Sequence, residues 1–126
     1  MLADSTAVPN IAVKDLKAAT RFYEHTLGLP EIGRQAEELV MYRSGNSMLN
    51  VYRSQFAGTN KATAVTWAVG DRLDDMVASL KSKGVTFERY DMPGARLEGD
   101  IHVFGDDMRV AWFKDPDGNI LNLVNR

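Results

Sequence analysis

The chain has 126 residues, 44% of them hydrophobic and 25% charged, an ordinary globular balance that suits one compact domain or two small halves. Its 15 basic and 17 acidic residues give a net charge of −2 without a block of like charge, so nothing indicates binding to nucleic acid or to an anionic membrane surface. Cysteine is absent, which excludes disulfides, thiolate metal sites and a cysteine nucleophile.

The first half of the sequence reads as a strand, a helix and three further strands. Val8 to Val13 alternates in polarity as a strand does, and Asp15 follows as a helix N-cap. The helix is expected to run from about Leu16 to Leu27, because apolar residues recur there at helical spacing. The remaining strands are a short one over Pro30 to Arg34 and a hairpin of Leu39 to Arg43 with Ser47 to Arg53.

A polar loop from Ser54 to Ala62 is the best candidate for a linker, and the same order of elements then begins again. We expect a strand over Ala64 to Val69, a helix capped by Asp71 and ended by Gly84, and a strand over Val85 to Tyr90. The predicted remainder is a loop from Asp91 to Asp100, the segments Ile101 to Phe104 and Met108 to Lys114, a turn at Asp115 to Gly118 and a strand over Ile120 to Val124. The two middle segments form either a hairpin or an interrupted excursion followed by a strand.

The two halves look like an internal repeat. The strand end, the helix cap and the glycine after the helix recur at one constant spacing, so that Val13, Asp15 and Gly28 correspond to Val69, Asp71 and Gly84. Late in each half, Leu49-Asn50-Val51 corresponds to Leu121-Asn122-Leu123 at a longer spacing, which puts extra residues into Asp91 to Asp107. We therefore expect a single domain over 1–126, with one module over about 7–53, a linker over about 54–62 and a second module over about 63–126.

Several short motifs recur in a recognisable order. They are Val13-Lys14-Asp15-Leu16, Phe22-Tyr23 and Leu27-Gly28-Leu29, then Val69-Gly70-Asp71, Lys83-Gly84-Val85-Thr86-Phe87 and Asp115-Pro116-Asp117-Gly118-Asn119. With them the chain resembles the vicinal oxygen chelate superfamily, the fold group of glyoxalases, bleomycin-resistance proteins and extradiol dioxygenases. The resemblance implies an α+β fold of two tandem βαβββ modules whose curved mixed sheet surrounds a cleft, with the helices outside, and a homodimer. A ferredoxin-like sandwich is the alternative, against which the βαβββ order argues.

The strand phases separate an apolar face from a mixed one. The residues expected to face the helices are Ile11, Val13, Leu49, Val51, Val65, Trp67, Val69, Leu121 and Leu123. The opposite faces carry Val8, Asn10, Ala12, Met48, Asn50, Tyr52, Ala64, Thr66, Ala68, Ile120 and Asn122. Small, polar and aromatic side chains are typical of a surface that lines a ligand pocket, and the alternative is a thin second core.

Metal-dependent members of the resembled family place His, Glu or Gln ligands on the first and last strands of each module. The corresponding first-strand positions are Val8 and Ala64 (or Val65), and the last-strand positions are Asn50 and Asn122. None is an imidazole or a carboxylate, and two neutral amides without an anion make a poor site for zinc, nickel or iron. We therefore predict no metal and no cofactor.

Histidines and aromatic residues give the other candidates. His25 lies near the end of the first helix, where it suits the helix dipole. His102 is a candidate acid or base, with a plain hydrogen-bonded histidine as the alternative. The aromatic residues expected on the cleft side or its rim are Tyr52, Phe56, Tyr90, Phe104, Trp112 and Phe113. Of the adjacent pair Trp112 and Phe113, the sequence leaves open which one turns inward.

The sequence favours a small-molecule-binding protein. The candidate ligand-binding residues are Asn10, Asn50, Tyr52, Thr66, Trp112 and Asn122, and the expected ligand is small and polar or aromatic. One alternative is a lyase, isomerase or dioxygenase with an atypical metal shell that uses His102; another is an interaction module whose dimer is the function. The N-terminus lacks the pattern of a secretory signal, so we expect a cytoplasmic protein without a membrane segment.

Overall fold

The computed structural model describes all 126 residues and contains two helices and ten strands in two mixed sheets. The predicted α+β fold of tandem βαβββ modules is confirmed. The chain divides into two compact units, one formed by Met1–Lys61 with Pro116–Asn119 and the other by Ala62–Asp115 with Ile120–Arg126. The longer helix has 10 residues, and no helix is long and apolar enough to cross a membrane.

Unit 1 is a four-stranded sheet with one helix. Its elements are β1 (Asn10–Val13), α1 (Leu16–Thr20), a π-helical continuation of α1 (Arg21–Thr26), β2 (Glu31–Gln35), β3 (Leu39–Ser44) and β4 (Ser47–Arg53). The strand order is β1-β4-β3-β2, with β1 parallel to β4 and the other neighbours antiparallel. The predicted hairpin between β3 and β4 is therefore confirmed, and β4 is an inner strand.

The first helix begins where the sequence predicted. The Asp15 carboxylate accepts a hydrogen bond of 2.8 Å from the Lys17 backbone N–H, which satisfies one of the free donors of the first turn. The helical stretch ends at Thr26, one residue before the predicted end, and its last six residues follow the wider π-helical spacing, which the periodicity did not indicate. Tyr23 is completely buried within this stretch and stacks on Tyr42 of β3.

Unit 2 contains the second helix and the larger sheet. Its elements are β5 (Thr63–Ala68), a 3₁₀ turn (Gly70–Arg72), α2 (Leu73–Ser82), β6 (Phe87–Glu88), β7 (Ala95–Glu98), β8 (Ile101–Phe104), β9 (Met108–Lys114) and β10 (Ile120–Val124). The strand order is β5-β10-β9-β8-β7. Both β8 and β6 pair with the same edge of β9: β8 pairs with its first half, Met108 to Val110, and β6 pairs with Trp112 and Phe113. Only β5 and β10 are parallel.

Three local predictions for unit 2 are wrong. Asp71 does not cap α2, because it lies inside the 3₁₀ turn and Arg72 occupies the cap position without a side-chain hydrogen bond. The strand expected over Val85 to Tyr90 shortens to β6. The expected loop from Asp91 to Asp100 contains β7, which forms an antiparallel pair with β8. Pairing with a neighbour made this polar segment a strand, which its own composition did not favour.

The predicted apolar phase matches the burial of most of the residues it named. Ile11, Val13, Leu49, Val51, Val69, Leu121 and Leu123 are buried, whereas Val65 and Trp67 of β5 are only partly buried. In α2, the buried residues Leu73, Val77 and Leu80 follow helical spacing. Phe113 is completely buried, whereas Trp112 is partly exposed, so the adjacent aromatic residues turn to opposite faces of β9.

The Asp115-to-Asn119 turn joins unit 1 through its middle residues. The Asp117 carboxylate accepts a hydrogen bond of 3.1 Å from the Lys14 backbone N–H, and the buried Asn119 side chain donates one of 2.8 Å to the Ala12 carbonyl. The Asp117 carbonyl oxygen also lies where a side chain on Gly58 would have to go, since a Cβ built on Gly58 falls 2.6 Å from it. The turn is thus held by both its side chains and its backbone.

Replacing Gly58 tests this close approach. Gly58 and Gly94 share a φ of 80°, but a Cβ at Gly94 meets nothing within 4 Å. We expect Gly94→Ala to lower the free energy of unfolding by about 1–2 kcal/mol from backbone strain alone. Gly58→Ala should lower it by about 1–3 kcal/mol more, because the backbone of the turn must move. Urea denaturation of the two variants measures the difference, and equal losses would contradict a tight contact.

Candidate functional site

In unit 1, two of the predicted ligand-binding residues lie side by side. Asn10 of β1 and Asn50 of β4 are direct neighbours across the parallel pair. The Asn50 amide nitrogen donates a hydrogen bond of 3.3 Å to Asn10 Oδ1, and the Asn10 amide nitrogen donates one of 3.0 Å to the Val8 carbonyl. Asn50 Oδ1 is buried and has no hydrogen-bond partner. The amide nitrogens of Asn50 and Asn10 thus each donate a hydrogen bond, whereas the Asn50 amide oxygen accepts none.

In unit 2, three predicted residues form a row across the sheet. Asn122 of β10 pairs with Thr66 of β5 on one side and with Trp112 of β9 on the other. Directly opposed residues of neighbouring strands project from the same face, so these three side chains share one surface. Asn122 is only 7% exposed, and its Oδ1 is also buried without a hydrogen-bond partner.

Trp112 is the centre of an aromatic cluster in unit 2. The indole makes edge contacts with His102, Tyr90 and Phe104 at ring-centroid distances of 4.9, 5.6 and 6.4 Å. Its Nε1–H donates a hydrogen bond of 3.1 Å to Thr63 Oγ1. Edge-to-face contacts and a satisfied N–H hold an indole in one orientation. Trp112 therefore offers a partly exposed, pre-oriented aromatic surface.

His102, whose ring contacts the indole, is completely buried. Its Nε2 accepts a hydrogen bond of 2.9 Å from the Tyr90 backbone N–H, and its Nδ1 has no partner. The Tyr90 hydroxyl is likewise buried without a partner, and burial, followed by the negative charge of Glu88, raises the pKa of this phenol. Tyr90 is thus a neutral phenol near neutral pH, able both to donate and to accept a hydrogen bond.

The other candidates lie apart from these groups. Tyr52 is the neighbour of Ala12 across β1 and β4 and is 37% exposed. Phe56 follows β4 in a turn and is 67% exposed, and His25 is exposed on the π-helical segment. Thr63 was not among the predicted site residues, although it is a polar residue at the start of β5. The sequence gives no other signal for it, and it pairs with Ile120, next to an irregularity in the register of β5 and β10.

A family model for the Glyoxalase/Bleomycin resistance protein/Dioxygenase superfamily matches residues 4–123. The chain belongs to this superfamily. The resemblance drawn from the motifs is thereby confirmed, and the functions of members range from enzymes to binding proteins according to the names of the solved structures. No curated protein sequence matches the chain.

Solved structures of the superfamily share the fold at low sequence identity. Lactoylglutathione lyase from Agrobacterium tumefaciens aligns with a TM-score of 0.75 and 16% identity, covering 96% of this chain and 92% of its own. The fosfomycin resistance protein FosX from Mesorhizobium loti aligns with a TM-score of 0.70 and 14% identity over 100% and 94% of the two chains. A bleomycin-binding protein complexed with bleomycin aligns with a TM-score of 0.69 and 22% identity, covering 97% of this chain and 98% of its own. These identities establish the fold alone.

The residues expected from the sequence at the metal positions of the superfamily are Val8, Asn50, Ala64 (or Val65) and Asn122. None of them is an imidazole or an anionic donor of the kind that zinc, nickel and iron sites need. No group of three or more His, Asp or Glu side chains in the chain could hold a metal ion.

An ion-pair cluster positions the strand that carries His102. Asp100, just before β8, accepts hydrogen bonds from Lys81 of α2 at 2.7 Å and from Arg89 at 3.0 Å. Arg89 precedes Tyr90, whose N–H binds the His102 ring, so the two contacts are neighbouring links between the same segments. The hydrogen bonds from Lys81 and Arg89 lower the pKa of the Asp100 carboxyl.

Asp100 should therefore make part of the stability depend on pH. Because its pKa is lower in the folded than in the unfolded state, its contribution is present above the unfolded pKa of about 4 and is lost as the pH falls through the folded value. We expect Asp100→Asn to remove this acid-side dependence, and at pH 7 to lower the free energy of unfolding by about 1 kcal/mol or less, since both cations are mostly exposed. Urea denaturation between pH 3 and 7 measures it.

The matched control is Asp106→Asn in the β8–β9 turn, a carboxylate for which the structure gives no ion pair. It should leave the acid-side dependence as in the unchanged protein. If the free energy of unfolding of Asp100→Asn falls between pH 7 and pH 3 as much as that of the unchanged protein, the assigned role of the cluster is wrong.

Proposed function

We propose that this protein binds a small, uncharged molecule through the open faces of its sheets. The observation that carries the proposal is the pair of unpaired amide oxygens, Asn50 Oδ1 in unit 1 and Asn122 Oδ1 in unit 2. Each occupies the corresponding position on the last strand of its unit, so the repeat keeps the same group twice. The proposed ligand residues of unit 1 are Asn10, Asn50 and Tyr52, and those of unit 2 are Thr66, Trp112 and Asn122.

The energetics support a ligand that donates hydrogen bonds. A buried carbonyl oxygen without a partner costs about 1–3 kcal/mol, because its interaction with water is lost and not replaced. A ligand N–H or O–H that reaches this oxygen recovers that cost on binding. An anion or another acceptor would instead face the lone pairs directly. Both asparagines thus favour amide or hydroxyl groups on the ligand.

The superfamily provides context for a binding role. One structure of the same fold is a bleomycin-binding protein complexed with bleomycin. The partly exposed indole of Trp112, held by three ring contacts, supplies an aromatic surface of the kind that flat ligands contact. Within this proposal the cytoplasmic location and the homodimer remain predictions from the sequence.

A metal-dependent enzyme is the second candidate, because the fold also matches lactoylglutathione lyase with a TM-score of 0.75. That candidate requires a metal shell assembled from groups other than the four superfamily positions. It predicts a metal content near one ion per chain in the purified protein and a higher melting temperature with added nickel, zinc, manganese or iron(II). The binding proposal predicts neither result.

Replacing the two unpaired amides separates binding from stability. We expect Asn122→Leu to leave the free energy of unfolding unchanged or raised by about 1 kcal/mol, because an unsatisfied polar group becomes an apolar one of similar size. Asn50→Leu should have a similar effect on the free energy of unfolding, reduced by the loss of the weak hydrogen bond to Asn10. Both should weaken the binding of hits from a melting-shift screen of neutral aromatic and amide-bearing compounds by at least about tenfold.

Asn125→Leu is the matched control. Both ends of the Asn125 amide have a partner: its oxygen accepts a hydrogen bond of 2.9 Å from the Arg109 backbone N–H, and its nitrogen donates one of 2.7 Å to the Asp107 carbonyl. This substitution should lower the free energy of unfolding by about 1–3 kcal/mol and leave ligand affinity unchanged. If Asn50→Leu and Asn122→Leu destabilise as much as the control and bind ligands as the unchanged protein does, the proposed function is wrong.

A further inference from the structure

Three residues next to Trp112 in unit 2 each keep one unpaired polar atom. These atoms are Nδ1 of His102, the hydroxyl oxygen of Tyr90 and Oδ1 of Asn122, and each is buried without a hydrogen-bond partner. His102 and Tyr90 contact the indole ring, and Asn122 is its cross-strand neighbour. A single unpaired atom is unremarkable in a protein, but three around one aromatic ring form a connected set. Which of these atoms donate hydrogen bonds and which accept them follows from their contacts.

The hydrogen bond to Tyr90 decides which nitrogen of His102 carries the proton. Nε2 accepts from the Tyr90 backbone N–H at 2.9 Å, so it uses its lone pair and cannot hold a hydrogen. The neutral imidazole then carries its hydrogen on Nδ1, the atom without a partner. His102 therefore presents an N–H donor, and it has no free lone pair with which to act as a base.

The two charges that act on the neighbouring Tyr90 hydroxyl balance each other. The charged groups that act on Tyr90 are Glu88 and Lys114, and they form an ion pair of 3.2 Å with each other. The cluster thus supplies hydrogen bonds without a net charge. Desolvating a charged ligand here would be costly, because no opposite charge compensates for the lost water. An uncharged ligand suits the site better.

We propose, building on the proposed binding function, that the Trp112 surface recognises an uncharged planar ring whose edge carries a carbonyl group beside an N–H, as in a lactam. The carbonyl oxygen accepts hydrogen bonds from His102 Nδ1–H and the Tyr90 hydroxyl. The ring N–H donates to Asn122 Oδ1, and the ring lies against the indole. His102 is a specificity-determining donor in this arrangement, not the acid or base considered from the sequence.

The tautomer of His102 can be measured in the free protein. The chain has two histidines, so His25→Gln leaves His102 as the sole source of imidazole signals. Two-bond ¹H–¹⁵N correlation spectra of the ¹⁵N-labelled variant at neutral pH distinguish a protonated ring nitrogen from an unprotonated one. We expect Nδ1 protonated and Nε2 unprotonated. Any other pattern overturns the proposal, whatever the protein binds.

A matched set of probes tests the ligand class. Isocarbostyril has the carbonyl and the N–H, N-methylisocarbostyril has only the carbonyl, naphthalene has neither, and naphthoate carries a charge. We expect isocarbostyril to bind at least about tenfold more tightly than each of the others, since each unmade hydrogen bond leaves a buried group unpaired. Trp112 fluorescence in a Trp67→Phe background reports binding. Equal affinity for isocarbostyril and naphthalene, or no measurable binding of isocarbostyril, overturns the ligand class.

Two substitutions assign the donors. His102→Gln keeps an acceptor for the Tyr90 N–H and removes the donor at the Nδ1 position, and Tyr90→Phe removes only the unpaired hydroxyl. Each should weaken isocarbostyril binding by about tenfold and leave naphthalene binding unchanged. Tyr90→Phe should also melt no lower than the unchanged protein, whereas His25→Gln should alter neither measurement. If Asn50→Leu and Asn122→Leu weaken the binding of a ligand but His102→Gln does not, this inference is wrong and the proposed function is still supported.

Discussion

The register of one inner strand in each sheet is the constraint on which the arrangement depends. In unit 2, β10 pairs with β5 and β9 at once, and this double pairing sets Asn122 between Thr66 and Trp112. In unit 1, β4 pairs with β1 and β3 and sets Asn50 beside Asn10. Because strand side chains alternate, a slip of one residue would turn each asparagine into the apolar core and a leucine or valine out of it. Burial of the neighbouring leucine and valine side chains therefore also fixes the asparagines.

Buried and half-buried polar groups of this protein differ in how they are satisfied. Asn119 and Asn125 have partners for their amide groups. Asn50, Asn122, Tyr90 and His102 each keep one buried atom unpaired. Such atoms lower stability in the free protein and become useful when a ligand supplies the missing partner. Stability that is given up at one place on a fold is a common property of binding sites.

The superfamily takes its name from glyoxalases, bleomycin resistance proteins and dioxygenases, so the fold alone does not decide between catalysis and binding. The binding proposal rests instead on residues of this chain, an oriented indole with Asn122 as its cross-strand neighbour. His102 is an example: its Nε2 accepts a hydrogen bond inside the protein and its Nδ1 has no partner, and the inferred role as a donor rests on these two contacts.

The sequence by itself determined both helices, most of the strands and the faces of the main strands, because hydrophobic periodicity and the Asp15 cap are local signals. Its motifs also indicated the repeat and the resemblance to the superfamily. It also identified Asn50 and Asn122 as polar residues that need a partner. Only the tertiary structure decided that β7 forms, that Asp71 caps nothing, and that Trp112 turns away from Phe113. It alone joined Tyr90 to His102 and Thr63 to Trp112, since strand pairing across long sequence separations creates those contacts and no local pattern encodes them.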